Sequence, residues 1–169
     1  MIKPTEQFPN LRINLINDTV WELEKQDPES FTLLVFYRGY HCPVCRKQLT
    51  ELKSKLGDFT ERGVNVIAIS MNDEELAKKT GEEWKTDSLP IGYGLVEETA
   101  RSLGLYISNG ISDKEPAIFS EPGLFLVKKD GTLYCSSIQT MPFARPAFDD
   151  LLGAIDFVKS KDYPARGGK

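Results

Sequence analysis

The sequence predicts an α/β fold, a central mixed sheet flanked by helices with an N-terminal β-hairpin extension. Three observations predict it. Residues 31–70 read strand, helix, strand, and the helix opens at Cys42-Pro43-Val44-Cys45. Residues 124–138 read as two strands joined through Lys129-Asp130-Gly131, where Asp-Gly is a hairpin signal. Residues 148–159 place Phe148, Leu151, Leu152, Ile155 and Val158 on one stripe, the pattern of a helix lying on a sheet.

Taken in order, residues 1–10 carry two prolines and form an extended, flexible lead-in. Leu11–Ile16 alternates as a short strand, Asn17-Asp18 turns the chain, and Thr19–Leu23 returns as a second strand. Phe31–Tyr37 is apolar, aromatic and β-branched, as a strand covered on both faces requires. Gly39 supplies a turn, and Pro43 is preset for the first turn of a helix. Cys45, Leu49, Leu52, Leu56 and Phe59 make one helical stripe that Arg62-Gly63 ends.

Val64–Ser70 is the second core strand, parallel to the first because a helix connects them. Asn72 or Asp73 caps a helix over 74–85, Ile91–Val96 is a short strand, and Glu97–Leu103 is a short helix. Residues 107–120 show no period and read as a long loop. After the 124–138 hairpin comes a loop over 140–146 and then the last helix. The tail, 162–169, is expected to be loose. All 169 residues read as a single domain, long enough to bury a core without disulfide staples.

Net charge −4 and a pI near 5.2 argue against nucleic acid as a partner, since phosphate binding wants a basic surface. Met1–Glu6 lacks the apolar segment of a signal peptide, and no run approaches a membrane span. The expectation is a cytoplasmic protein without membrane contact. In that compartment a Cys-x-x-Cys pair is catalytic or metal-binding rather than structural.

The spacing gives the two thiols different surroundings. Cys42 stands at the helix mouth, where free N–H groups and the helix dipole favour a thiolate. Cys45 lies one turn in, in phase with the core stripe. An exposed nucleophile at Cys42 and a shielded resolving thiol at Cys45 is what dithiol redox chemistry needs. Residues three apart on a helix are within disulfide reach. Zinc is disfavoured, because only Cys135 and His41 remain as further ligands, so no metal and no cofactor is expected.

With this order of elements the chain resembles the thioredoxin superfamily. Within it, it is similar to the peroxiredoxin-like redoxins related to alkyl hydroperoxide reductase and thiol-specific antioxidant proteins. The residues that carry the resemblance are Val35-Phe36-Tyr37 leading to Cys42-Pro43-Val44-Cys45, Ala68-Ile69-Ser70, and Glu121–Val127 ahead of Asp130-Gly131. It covers roughly residues 10–160 and implies a thioredoxin-like fold. It also implies that Pro122 is a cis-proline facing the Cys pair, an ordinary trans strand-entry proline being the alternative. The family's Pro-x-x-x-Thr/Ser-x-x-Cys pattern meets Val35 and Gly39 here, and Glu121-Pro122 stands where its arginine would be.

The chemistry follows from the pair. Cys42 thiolate attacks a peroxide oxygen or a substrate disulfide, and Cys45 then closes a Cys42–Cys45 disulfide. The resemblance implies that a thioredoxin or glutathione system reopens it, and that a homodimer is possible. Around the pair, Arg38, Tyr40, His41, Pro43, Pro122 and Arg145 are the candidate lining residues. His41 either lowers the thiol pKa or faces solvent, and Arg46 decorates the exposed helix face. Arg38 stabilises a thiolate or lies on the active loop without that role. Arg145 supplies the missing cation or pairs at the last helix. Cys135 is a buried inert thiol or a second resolving cysteine.

Three functions are open on this reading. One is a thiol peroxidase acting on hydrogen or organic peroxides. The second is a thioredoxin-like disulfide oxidoreductase, and the third is a non-catalytic redox sensor.

Overall fold

The computed structural model describes residues 1–169. β1 (Arg12–Leu15) and β2 (Val20–Glu22) form the N-terminal hairpin, and β3 (Phe31–Phe36) is the central strand. α1 (Pro43–Ser54), α2 (Leu56–Glu61), β4 (Val64–Ile69), α3 (Glu74–Glu83), β5 (Ile91–Tyr93) and α4 (Glu97–Ser102) follow. Then come β6 (Ile107–Asn109), β7 (Ile118–Ser120), β8 (Gly123–Lys128), β9 (Leu133–Ile138) and α5 (Phe148–Lys161).

Seven strands make one sheet in the order β2-β1-β5-β4-β3-β8-β9. β3, β4 and β5 run parallel, while β8 pairs antiparallel with β3, and β1 antiparallel with β5. The sheet is therefore mixed, with the predicted β-α-β unit at its centre. No helix is long and apolar enough to cross a membrane.

Successive residues of β3 feed opposite faces, as strand geometry demands. Leu33 and Val35 join the core shared with Cys42, Cys45, Leu49, Phe59 and Phe148. Leu34 and Phe36 join the core shared with Trp21, Ile69, Leu103 and Phe125. Each such side chain contributes about 1.5–3 kcal/mol of burial, so β3 is clamped from both sides. The helix mouth at its C-terminal end inherits that rigidity. The lead-in lies against β9: Phe8 N–H donates to the Gly131 carbonyl at 2.9 Å, and Leu133 N–H to that of Glu6 at 2.9 Å.

Several expectations need correction. The stripe from Cys45 to Phe59 is two helices broken at Lys55, whose N–H is shared between the Glu51 and Leu52 carbonyls at 3.1 Å each. The break coincides with full burial of Phe59, edge-on to Phe148 at 6.0 Å. Residues 107–120 are not a structureless loop, because β6 and β7 pair there as a small antiparallel ribbon. Strands of three residues are too short to leave a period to read. Leu23 belongs to a 3-10 turn and β5 ends at Tyr93, both shorter than predicted. The chain contains no cis peptide bond, so Pro122 is trans; its carbonyl accepts from Gln139 N–H at 2.9 Å.

Candidate active site

The site forms where β3 gives way to α1. Gly39 has φ +137°, and a Cβ there would meet the Asn72 side chain at 2.7 Å, so only glycine fits. Asn72, two residues beyond Ser70, accepts from Tyr40 N–H through Oδ1 at 2.8 Å. Cys42 is the N-cap of α1 with extended φ and ψ, and Pro43 takes the first helical position. Its sulfur accepts from Cys45 N–H at 3.3 Å, doing the work of a capping oxygen.

Cys42 and Cys45 lie 2.7 Å apart at closest, and both are free thiols. Cys42 is 1% exposed and Cys45 0%. The expected exposure of Cys42 is thus corrected: it lines a recess without projecting from it. The Cys42 thiol is nonetheless held down to about 6, first by the hydrogen bond from the Cys45 thiol. The Cys45 N–H and the charges of Arg145 and Arg38 add to that, against burial. Burial pushes the Cys45 thiol well up, and the neighbouring Cys42 pushes it further. The pair is polarised, one thiol ready to ionise and the other to donate.

Arg145 arrives from the loop between β9 and α5. Its Nη2 lies 3.0 Å from Cys45 Sγ and 3.9 Å from Cys42 Sγ. Nη1 donates to Gln48 Oε1 at 2.5 Å and Nε to the Pro142 carbonyl at 2.7 Å, so the guanidinium is aimed. Of the two readings of Arg145, the one that brings a cation to the thiols matches this position.

Arg38 turns elsewhere. Its Nε faces Glu121 Oε2 at 3.2 Å, and its guanidinium carbon sits 4.6 Å from the Phe119 ring centroid. Glu121 is 3% exposed and takes a second bond from Ser108 Oγ at 2.7 Å. His41 packs on the same Phe119 ring at 4.7 Å. Neither of its ring nitrogens has a partner, and burial followed by the Arg38 charge lowers its pKa. Both effects favour the neutral imidazole.

Tyr40 stacks on Trp84 at 6.0 Å and 12°, and its hydroxyl donates to Glu83. These two rings wall a recess of about 480 Å³ that His41, Cys42, Pro43, Arg46, Glu83 and Lys114 also line. Pro122 precedes Gly123, which pairs with Phe36 at the end of β3. Cys135 is half-buried on β9 opposite Leu126, and burial raises its thiol pKa. Phe119 and Gln48 have no place in the sequence reading. Asn72 figures there only as an alternative to Asp73 as a helix cap, which Asp73 provides, and Glu121 only as the residue where the family's arginine would stand, a lone carboxylate inside the run from Ile118 to Val127.

The model of the AhpC/TSA family matches residues 4–135. Alkyl hydroperoxide reductase C of Helicobacter pylori is 26% identical over 159 residues, spanning 92% of this chain and 77% of that protein. The thiol-disulfide oxidoreductase ResA of Halalkalibacterium halodurans is 28% identical over 54 residues, 32% of this chain and 31% of that one. Among solved structures, a cysteine-to-serine mutant of peroxiredoxin 6 from Arenicola marina superposes with a TM-score of 0.80. It is 22% identical, over 95% of this chain and 76% of that chain, which is a likeness of fold. With the family match running through β3, the Cys pair and β8, the chain belongs to the AhpC/TSA family and is a thiol oxidoreductase.

Proposed function

We propose that the chain is a peroxiredoxin-like peroxidase that reduces hydrogen or organic peroxides through Cys42 and closes a Cys42–Cys45 disulfide. One observation carries the reading: the Cys45 thiol, the Cys45 N–H at 3.3 Å and the Arg145 guanidinium converge on the buried Cys42 sulfur, which holds its thiol down to about 6. At pH 7 about nine-tenths of such a thiol is ionised. The thiolate attacks one peroxide oxygen, the O–O bond breaks, and the leaving oxygen departs as hydroxide or alkoxide and takes up a proton. Cys42 becomes a sulfenic acid.

Cys45 then attacks the Cys42 sulfur; its proton joins the departing hydroxide as water, and the disulfide forms. The guanidinium of Arg145, nearer to Cys45 than to Cys42, favours ionisation of the attacking thiol. Two electrons from an external thiol reductant return the pair to its starting state.

Stopped-flow oxidation of the reduced protein by hydrogen peroxide tests this against Cys42→Ser. The expected result is disulfide formation far faster than an ordinary free thiol reacts, lost in the variant. A rate like that of a free thiol sinks the peroxidase reading. A second reading, a disulfide oxidoreductase, draws support from the close Cys42–Cys45 approach of 2.7 Å. The similarity to ResA over a third of the chain also supports it. It predicts slow peroxide oxidation and fast exchange with a protein disulfide.

A further inference from the structure

We infer that the recess beside Cys42 receives the reductant, and that this reductant is a small thiol carrying carboxylates, a dicarboxylic thiol above all. The inference rests on the Cys42–Cys45 disulfide of the proposed function. Its volume of about 480 Å³ lies within the range of small-molecule sites. Cys42 lines it and Cys45 does not. An incoming thiolate therefore reaches the Cys42 sulfur from the recess, with Cys45 placed on the inner side as leaving group.

The charges on the walls are arranged for an anion. Arg46 and Lys114 both line the recess, both are exposed, and neither forms an ion pair within the chain. The one carboxylate on the wall, Glu83, is engaged by the Tyr40 hydroxyl. The balance is two cations to one anion, beside a stacked Tyr40–Trp84 wall that a small organic body can lie against. A buried sulfur, at 1% exposure, also suits a slender thiol better than a blunt protein surface.

The steps balance. The thiolate RS⁻ attacks Cys42 Sγ, the S–S bond breaks, and Cys45 leaves as a thiolate. Arg145 Nη2, 3.0 Å from Cys45 Sγ, stabilises that leaving group. A second RS⁻ attacks the R-side sulfur of the mixed disulfide, releasing RSSR and the Cys42 thiolate. Two thiols are oxidised, one protein disulfide is reduced, and Cys45 takes up a proton from water.

The test starts from protein oxidised with diamide, so that no peroxide step is involved. Reduction by mercaptosuccinate, 2-mercaptoethanol and cysteamine is timed by trapping free thiols, each rate scaled to the thiolate fraction of the reagent. Mercaptosuccinate is expected to react about tenfold faster than 2-mercaptoethanol at low salt, with cysteamine slowest. At about 0.5 M salt the advantage shrinks towards one. Arg46→Ala and Lys114→Ala each lower the mercaptosuccinate to 2-mercaptoethanol ratio by about three- to fivefold, as loss of an exposed charge contact does.

Equal scaled rates in the wild type overturn the inference, as does a ratio that neither variant moves. Efficient reduction by a thioredoxin without any advantage for mercaptosuccinate overturns it in favour of a protein reductant. Failure of diamide to form the disulfide overturns it as well. Slow oxidation by peroxide, by contrast, sinks only the peroxidase reading and leaves the ratio measurable.

Discussion

The loop after β3 and the loop after β9 each deliver an arginine to the neighbourhood of the Cys pair, and the two arginines do different things. Arg38 stands four residues before Cys42, yet its guanidinium is held by Glu121 and the Phe119 ring. Arg145 is separated from Cys42 by most of the chain, yet it is the one at hydrogen-bond distance from a thiol sulfur. Proximity in sequence placed Arg38 on the strand's continuation, where the nearest buried group is a carboxylate. An unpaired Glu121 at 3% exposure would be costly, and the Arg38 charge 3.2 Å away offsets that cost. Arg145 meets no carboxylate, so its donors remain for Gln48, a carbonyl and sulfur. An arginine with no buried anion to neutralise is the one left for chemistry.

The largest expected effect breaks the comparison on the Arg38 side. Arg38→Met strands the Glu121 carboxylate and should cost about 3–5 kcal/mol of stability, read from urea unfolding. Adding Glu121→Gln should recover a good part of that loss. If Arg38→Met instead unfolds like wild type but raises the Cys42 pKa strongly, the roles of the two arginines are reversed.

Next comes Arg145→Met, expected to slow disulfide closure about ten- to a hundredfold while changing the unfolding midpoint little. It should also move the ionisation of Cys42 upward from about 6, which thiolate absorbance at 240 nm follows. The pH profile of the wild type sharpens the same point. The reactive form is the thiolate, so the oxidation rate should be flat above about pH 7 and fall about tenfold per unit below 6. A profile still rising through pH 9 would mean that the guanidinium and helix mouth fail to hold the thiol down.

A smaller effect is expected from Gln48→Ala, which frees one arm of the Arg145 clamp. Closure should slow about threefold, in the same direction as Arg145→Met. Smallest of all is Arg62→Met. Arg62 pairs through Nε with Asp156 at 2.8 Å, but on the surface, and both rate and unfolding midpoint should stay near wild type.

The same contrast explains how much of the molecule was legible in its sequence. The β-α-β unit, the Asp-Gly hairpin and the amphipathic last helix rest on local periodicity and turn chemistry, so they read directly. The different surroundings of the two thiols were legible as well, because Cys42 at the helix mouth and Cys45 in the core stripe are helix geometry. The burial of Cys42 was not, since it depends on tertiary packing, which sets Cys42 in a core cluster with residues as distant in sequence as Trp84 and Leu124. The β6–β7 ribbon left no pattern, and the trans state of Pro122 runs against the resemblance. Arg145 was legible only as one of two possibilities, because a contact between a loop and a thiol a hundred residues away has no periodic signature.

Asn72 bears on what can be moved between proteins. It closes the space over Gly39 and accepts from Tyr40 N–H, so the turn leading to Cys42 is moored to the far end of β4. The segment from Gly39 to Cys45 is for this reason not a portable cassette. Grafted onto another scaffold of the same fold it would arrive without its anchor, and the loop would be free to tilt the sulfur away from the helix mouth. A transplant that carries the asparagine along with the cysteines is the smallest unit expected to keep the geometry.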